Sequence, residues 1–218
     1  MLPGILDLIQ GEQGQKIISS LSSQTGQSEG QTQNLLQMAL PVLMGAMKKN
    51  SASPEGAQNL MGALNKHGNS DLLGNIEGLF NGGVDQNVKD DGQGILNHLL
   101  GSEQSQVETA LGAQTGMDSS AVSEILKVAA PLLMGALGKQ TSQAGISDGN
   151  QLSSLLGGLM GQFGGGNAAG GNSGVASVLS SFLDADGDGS IIDDVTDIVS
   201  GKQQGGIGGL LGNIFGKK

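Results

Sequence analysis

A long stretch of this chain occurs twice, and the repetition constrains the fold more than any other feature of the sequence. When the sequence is shifted by 90 residues, Gly4–Asn50 aligns with Gly94–Gln140 without a gap, and 16 of the 47 positions are identical. The segment PVLMGAM at Pro41–Met47 matches PLLMGAL at Pro131–Leu137, and the tripeptide QTG stands at the same place in both copies. The repetition predicts one structural unit that is used twice.

Both copies have the hydrophobic spacing of α-helices. Apolar residues recur at three- and four-residue intervals in residues 5–9 and again in residues 95–99, which predicts an apolar stripe along one helix face. The glycine of each QTG tripeptide is expected to end a helix in a left-handed conformation. Ser28 and Asp118 follow these glycines and are expected to cap the next helix. We therefore expect an all-α protein.

The next helix of each copy contains a proline. Pro41 and Pro131 lie within the apolar runs Leu35–Met47 and Ile125–Leu137. An interior proline costs about 3 kcal/mol because it removes a hydrogen bond and crowds the preceding turn. We expect each long segment to break into two helices or to kink sharply. Both runs fall short of the roughly 20 apolar residues of a membrane span, which predicts core helices and no transmembrane segment.

Composition restricts the kinds of function that are open to the chain. Aromatic residues make up 2% of the sequence and glycine supplies 40 of its 218 residues, so the core must be aliphatic. One copy alone would bury little surface, which favours two copies packed together as one pseudo-symmetric bundle. The net charge of −10 argues against a nucleic-acid partner. The absence of cysteine excludes disulfides and zinc–thiolate sites.

The strongest chemical signal is the acidic segment LDADGDGSIIDD at Leu183–Asp194. A twelve-residue calcium loop takes side-chain oxygens from positions 1, 3 and 5, a backbone carbonyl from position 7 and a bidentate acid from position 12, with glycine at position 6. Gly189 falls at position 6. The segment therefore predicts a calcium site, for which the candidate ligands are Asp184, Asp186, Asp188, Ser190, Asp193 and Asp194.

The acidic segment departs from the calcium pattern at one point. Position 12 is Val195, which cannot coordinate a metal, so Asp193 or Asp194 would have to close the loop. Such a site is expected to bind weakly, at about 10⁻⁴–10⁻³ M. The alternative is an acidic turn in which Asp193 caps the following helix.

The remaining signals are weaker. His67 and His98 are isolated in the sequence, and we expect them to pack in a partly buried setting rather than to catalyse a reaction. No triad or phosphate-binding motif is evident, so we expect that the protein is not an enzyme. The tail Ile207–Lys218 is expected to be flexible, with a membrane-surface peptide as the alternative. The first residues lack a basic signal region, which favours the cytoplasm over export without an N-terminal signal.

The sequence thus predicts a duplicated helical unit that forms a pseudo-symmetric bundle, followed by a Gly-rich linker and a short helix-loop-helix with an acidic loop. A protein partner is possible, and the sequence does not identify one. The expected divisions are repeat 1 at 1–90, repeat 2 at 91–160, a linker at 161–174, the calcium-type module at 175–201 and a Gly-rich tail at 202–218.

The second copy and the acidic loop together resemble a known family. The run GILNHLLG…APLLMGALGKQ at Gly94–Gln140 and the later block LDADGDGSIIDDV are similar to the bacterial domain of unknown function nine hundred thirty-seven. The resemblance covers roughly Met1 to Gly201 and implies a soluble helical bacterial protein. It brings no activity and no catalytic residues. The acidity of the chain also disfavours the DNA binding that a homeodomain-like fold would suggest.

Overall fold

The computed structural model describes residues 11–69, 76–80 and 84–164, and within these ranges the protein is built from helices and contains no β-strand. The prediction of an all-α protein is confirmed. A short 3₁₀ turn at Gly101–Glu103 leads into the sixth helix. The α-helices are α1 (Glu12–Thr25), α2 (Glu29–Ser51), α3 (Pro54–Gly68), α4 (Ile76–Phe80), α5 (Gln86–Leu100), α6 (Gln104–Thr115), α7 (Ser119–Gln143) and α8 (Gly149–Gly164). Helix α8 therefore extends four residues into the predicted linker.

The turns between α1 and α2 and between α6 and α7 have the same construction. Gly26 and Gly116 end the first helix of each pair with φ of 68° and 71°, a left-handed backbone that glycine adopts without steric cost. The side chains of Ser28 and Asp118 then each accept a hydrogen bond from the backbone N–H three residues further on. All four predicted caps are confirmed.

The two long helices do not break at their prolines. Helix α2 continues through Pro41, and helix α7 continues through Pro131, so the predicted division into two helices is wrong. Proline has the φ of a helix, and its cost is confined to one lost hydrogen bond and local crowding. Both prolines are buried among the apolar residues of helices that form the centre of the core, and this burial offsets that cost.

The carbonyl group that loses its helical donor because of Pro131 lies against a glycine of α5. It belongs to Lys127, four residues earlier, and Gly92 of α5 lies directly against it. A Cβ atom at Gly92 would stand 1.7 Å from the Lys127 carbonyl oxygen. Helix α5 can therefore approach α7 this closely only because residue 92 has no side chain.

The buried apolar side chains of both sequence copies form one cluster. Helices α2 and α7 lie at its centre, and Leu35, Met44 and Ile125 are completely buried. Among the described helices, α7 alone is long and apolar enough to cross a membrane, but 78% of its most apolar window is buried inside the bundle. This degree of burial is typical of the core helix of a helical bundle, and α7 occupies that place here.

The helix that follows each long helix in the chain packs on the other long helix, an arrangement called crosswise docking below. Helix α3 follows α2 in the chain and packs mainly on α7, whereas α8 follows α7 and packs on α2. Helix α3 meets α7 backbone to backbone, since a Cβ at Gly138 would lie 2.1 Å from the carbonyl oxygen of Leu64. Gln31 of α2 also reaches across, and its Nε2 donates to the carbonyl of Gly116 at 3.3 Å. The two copies are therefore interlocked.

Candidate functional site

The predicted calcium ligands, Asp184 to Asp194, lie outside the residues that the structure describes. The calcium site consequently stays a prediction. Within residues 11–69, 76–80 and 84–164, no group of three or more His, Asp or Glu side chains is arranged so that it could hold a metal ion. Two clefts among these residues are each lined by several side chains that can bear charge.

Both histidines line one cleft, of about 590 Å³, between α3, α5 and α7. Its floor is apolar, with Leu60 from α3, Ile95 from α5 and Met134 from α7. His67 is 5% exposed, in agreement with the predicted packing role. His98 is exposed, so the same prediction is wrong for this residue.

The exposure of His98 follows from the geometry of α5. The buried residues of this helix are Gly92, Ile95, Leu96, Leu99 and Leu100. Position 98 lies beside this stripe rather than within it, because successive residues of a helix are rotated by about 100°. The sequence alignment equated His98 with an apolar residue of the first copy, and this equivalence misled the prediction.

His67 lies beside a carboxylate from another helix. Its Nδ1 is 3.5 Å from Oδ2 of Asp91 in α5, and the Nζ of Lys66 is 3.2 Å from the other oxygen, Oδ1. Burial lowers the pKa of His67, while the nearby Asp91 carboxylate opposes this and the Lys66 charge adds to it. The net direction is downward, so the buried ring is neutral at pH 7.

The His67–Asp91 pair could not be recognised from the sequence, because its members are separated by 24 positions and belong to different helices. The imidazole of His67 can take up a proton, which would place a positive charge on α3 beside the Asp91 carboxylate of α5. The described lining of this cleft contains no hydroxyl or thiol side chain that the imidazole could activate. The arrangement therefore suits charge-dependent packing better than nucleophilic catalysis.

A second cleft, of about 650 Å³, lies beside the N-terminal end of α7 and centres on Glu124. The carboxylate accepts hydrogen bonds from Lys89 at 2.8 Å and from Lys127 at 2.9 Å. These two bonds lower the pKa of Glu124, so it is ionised at neutral pH. With Glu108 and Asp118 also in the lining, carboxylates outnumber lysines, and the cleft does not favour an anion.

The comparisons with known proteins give one match. The family model described as bacterial protein of unknown function (DUF937) matches residues 7–140, which is more than half of the chain. Neither the curated proteins nor the solved structures include a match to this sequence. The family resemblance noted in the sequence is thus confirmed over residues 7–140, which do not include the acidic loop, and the chain belongs to this bacterial family of unknown function.

Proposed function

We propose that this protein is a non-catalytic helical protein whose C-terminal module, residues 175–201, binds calcium. The alternation of Asp184, Asp186 and Asp188 ahead of Gly189 carries the proposal. Hard oxygen ligands at positions 1, 3 and 5, with a glycine turn at position 6, are the donor set that calcium prefers in twelve-residue loops. The carbonyl of Ser190 would supply the ligand at position 7.

The charge of this segment supports a bound cation. Six aspartates lie within residues 184–197, and no Lys or Arg occurs between Lys139 and Lys202. Carboxylates a few ångströms apart repel by about 1–4 kcal/mol per pair at dielectric constants of 80 to 20. A divalent cation would turn that repulsion into attraction.

Val195 at position 12 favours a second candidate function. Without a bidentate acid at this position the loop loses its strongest calcium ligand, unless Asp193 or Asp194 replaces it. The alternative is therefore a metal-free helical scaffold that binds a protein partner. A third possibility, a secreted protein that acts on membranes through its Gly-rich tail, is weaker because lysine occurs in the tail only at Lys202 and at the last two positions.

We further propose that the bundle which carries the module is a pseudo-symmetric duplication. Its support is the repeated construction of the turns at Gly26 and Gly116, together with the crosswise docking of α3 on α7 and of α8 on α2. A twofold relation between the copies accounts for both features, since each copy would lend its following helix to the other.

Isothermal titration of the full chain with calcium, repeated with magnesium, tests the calcium proposal. Asp184→Ala and Asp188→Ala remove positions 1 and 5 and should each abolish the binding heat. Asp197→Asn removes one charge outside the twelve positions and is the matched control, which should keep the response. Magnesium should bind poorly because it keeps its waters and requires octahedral geometry. Equal heats in the wild type and in Asp184→Ala would favour the scaffold instead.

A further inference from the structure

The side chain of His67 occupies a tightly constrained place in the bundle. His67 directly precedes Gly68, where α3 touches α7 so closely that a Cβ added at Gly68 would lie 2.5 Å from the carbonyl carbon of Gly138. Because the backbones of α3 and α7 are already in contact there, the two helices cannot move closer together around a charged ring. Any change in the charge of His67 therefore acts on the contact between α3 and its neighbours.

Among the residues that the structure describes, the charged groups that line the cleft around the ring come from α3 and α5. Helix α5 supplies Asp91 at 3.5 Å, and α3 supplies the adjacent Lys66, which is itself paired with Asp91. Asp90 and His98, also from α5, line the same cleft. From α7, Met134 in the cleft and Gly138 at the crossing carry no charge. Among these described groups, the Asp91 carboxylate is already shared with Lys66, and burial of the ring outweighs its attraction for a proton.

We propose that His67 is a pH-sensitive lock that holds α3 against α5 and α7 when neutral and releases α3 when it is protonated. The lock acts on the contact between the two sequence copies, because α3 lies in the first copy, whereas α7 and Asp91 of α5 lie in the second, which begins at residue 91. This proposal is independent of the calcium module.

The sign of the effect follows from the burial of the ring. Burial lowers the pKa of His67 in the closed bundle, whereas a ring released into water takes up its proton near pH 6.5. The open form is therefore the better proton acceptor. Its population rises by up to about tenfold for each pH unit below 6.5, until the lowered pKa of the closed form is reached.

Amide hydrogen exchange of the full chain between pH 7.5 and pH 5, corrected for intrinsic rates, tests the lock. In the wild type, protection of α3 amides should fall by up to about tenfold per pH unit below 6.5, while protection of α1 stays constant. His67→Gln should remove the pH dependence of α3. His98→Gln, which changes the exposed histidine of the same cleft, should retain it. The same pH dependence in His67→Gln, or an equal loss of protection in α1, would overturn the proposal.

The titration of the His67 ring in the wild type keeps the test decisive if His67→Gln fails to fold. Its Cε1 proton should titrate below pH 6.5 in the native protein, and Asp91→Asn should move this titration lower still, because the carboxylate favours the charged ring. A native ring that titrates at or above pH 6.5 would show that protonation does not release α3.

Discussion

Replacement of Gly92 by alanine tests the close approach of α5 to α7. The added Cβ would lie 1.7 Å from the carbonyl oxygen of Lys127, whereas real Cβ atoms keep at least 3.0 Å from such a neighbour, so the helices must move apart by about 1.3 Å. The obstacle is backbone and cannot rotate away. Overpacking of this kind costs about 1–3 kcal/mol. The displacement also withdraws α5 from the carbonyl that Pro131 leaves without a helical donor.

Gly94→Ala is the matched control, since Gly94 lies in the same helix and an added Cβ there meets nothing within 4 Å. Alanine in place of an interior helical glycine stabilises by about 0.5–1 kcal/mol, and both variants receive this gain. Their difference in unfolding free energy therefore isolates the packing cost. Urea unfolding followed by circular dichroism should show Gly92→Ala less stable than Gly94→Ala by about 1–3 kcal/mol. Equal stability of the two variants would refute the close contact between α5 and α7.

Two further substitutions test one buried and one partly exposed polar side chain. Thr32 is completely buried, and its hydroxyl has no hydrogen-bond partner among the residues that the structure describes. The corresponding residue of the second copy is Val122. Thr32→Val should therefore stabilise the protein by about 1 kcal/mol in urea unfolding, and a loss of stability would show that the hydroxyl is satisfied. Glu124→Gln should lower the unfolding free energy at pH 7 by less than about 1 kcal/mol, since the carboxylate is 40% exposed. The folded pKa of Glu124 is lowered, so its contribution is present above the unfolded pKa of about 4.3 and is lost as the pH falls through the folded value. The unfolding free energies of the wild type and Glu124→Gln should therefore converge only when the pH is taken well below 4, and a difference that stays constant down to that range would contradict the ion-pair assignment.

The sequence predicted the all-α class and the helix caps at Gly26, Ser28, Gly116 and Asp118 because these features depend on local chemistry. Ser28 and Asp118 accept hydrogen bonds from N–H groups three residues away, and Gly26 adopts a backbone that few other residues tolerate. Ser53 and Pro54 begin α3 in the same way, with Ser53 as the cap. Interactions of this range can be recognised from a short stretch of sequence.

The errors arose where tertiary contacts outweigh local preference. Pro41 and Pro131 were expected to divide or to kink their helices, and the division does not occur because burial of α2 and α7 in a shared core holds each helix together. The pairing of His67 with Asp91 depends on how α3 and α5 dock on α7, and no local pattern encodes it. The crosswise docking of α3 and α8 is likewise a property of the assembled bundle.

The most direct test of the calcium proposal is the chemical shift of the Gly189 amide during a calcium titration of the full chain. Gly189 stands at the turn position of the loop, so its amide should move on binding and reach a plateau at millimolar calcium. At a calcium concentration 100 times Kd, binding to the folded module alone should add about 2.7 kcal/mol to its stability. The shift should vanish in Asp184→Ala. A Gly189 amide that stays unmoved by millimolar calcium in the wild type would show that residues 183–194 form an acidic turn and not a calcium site.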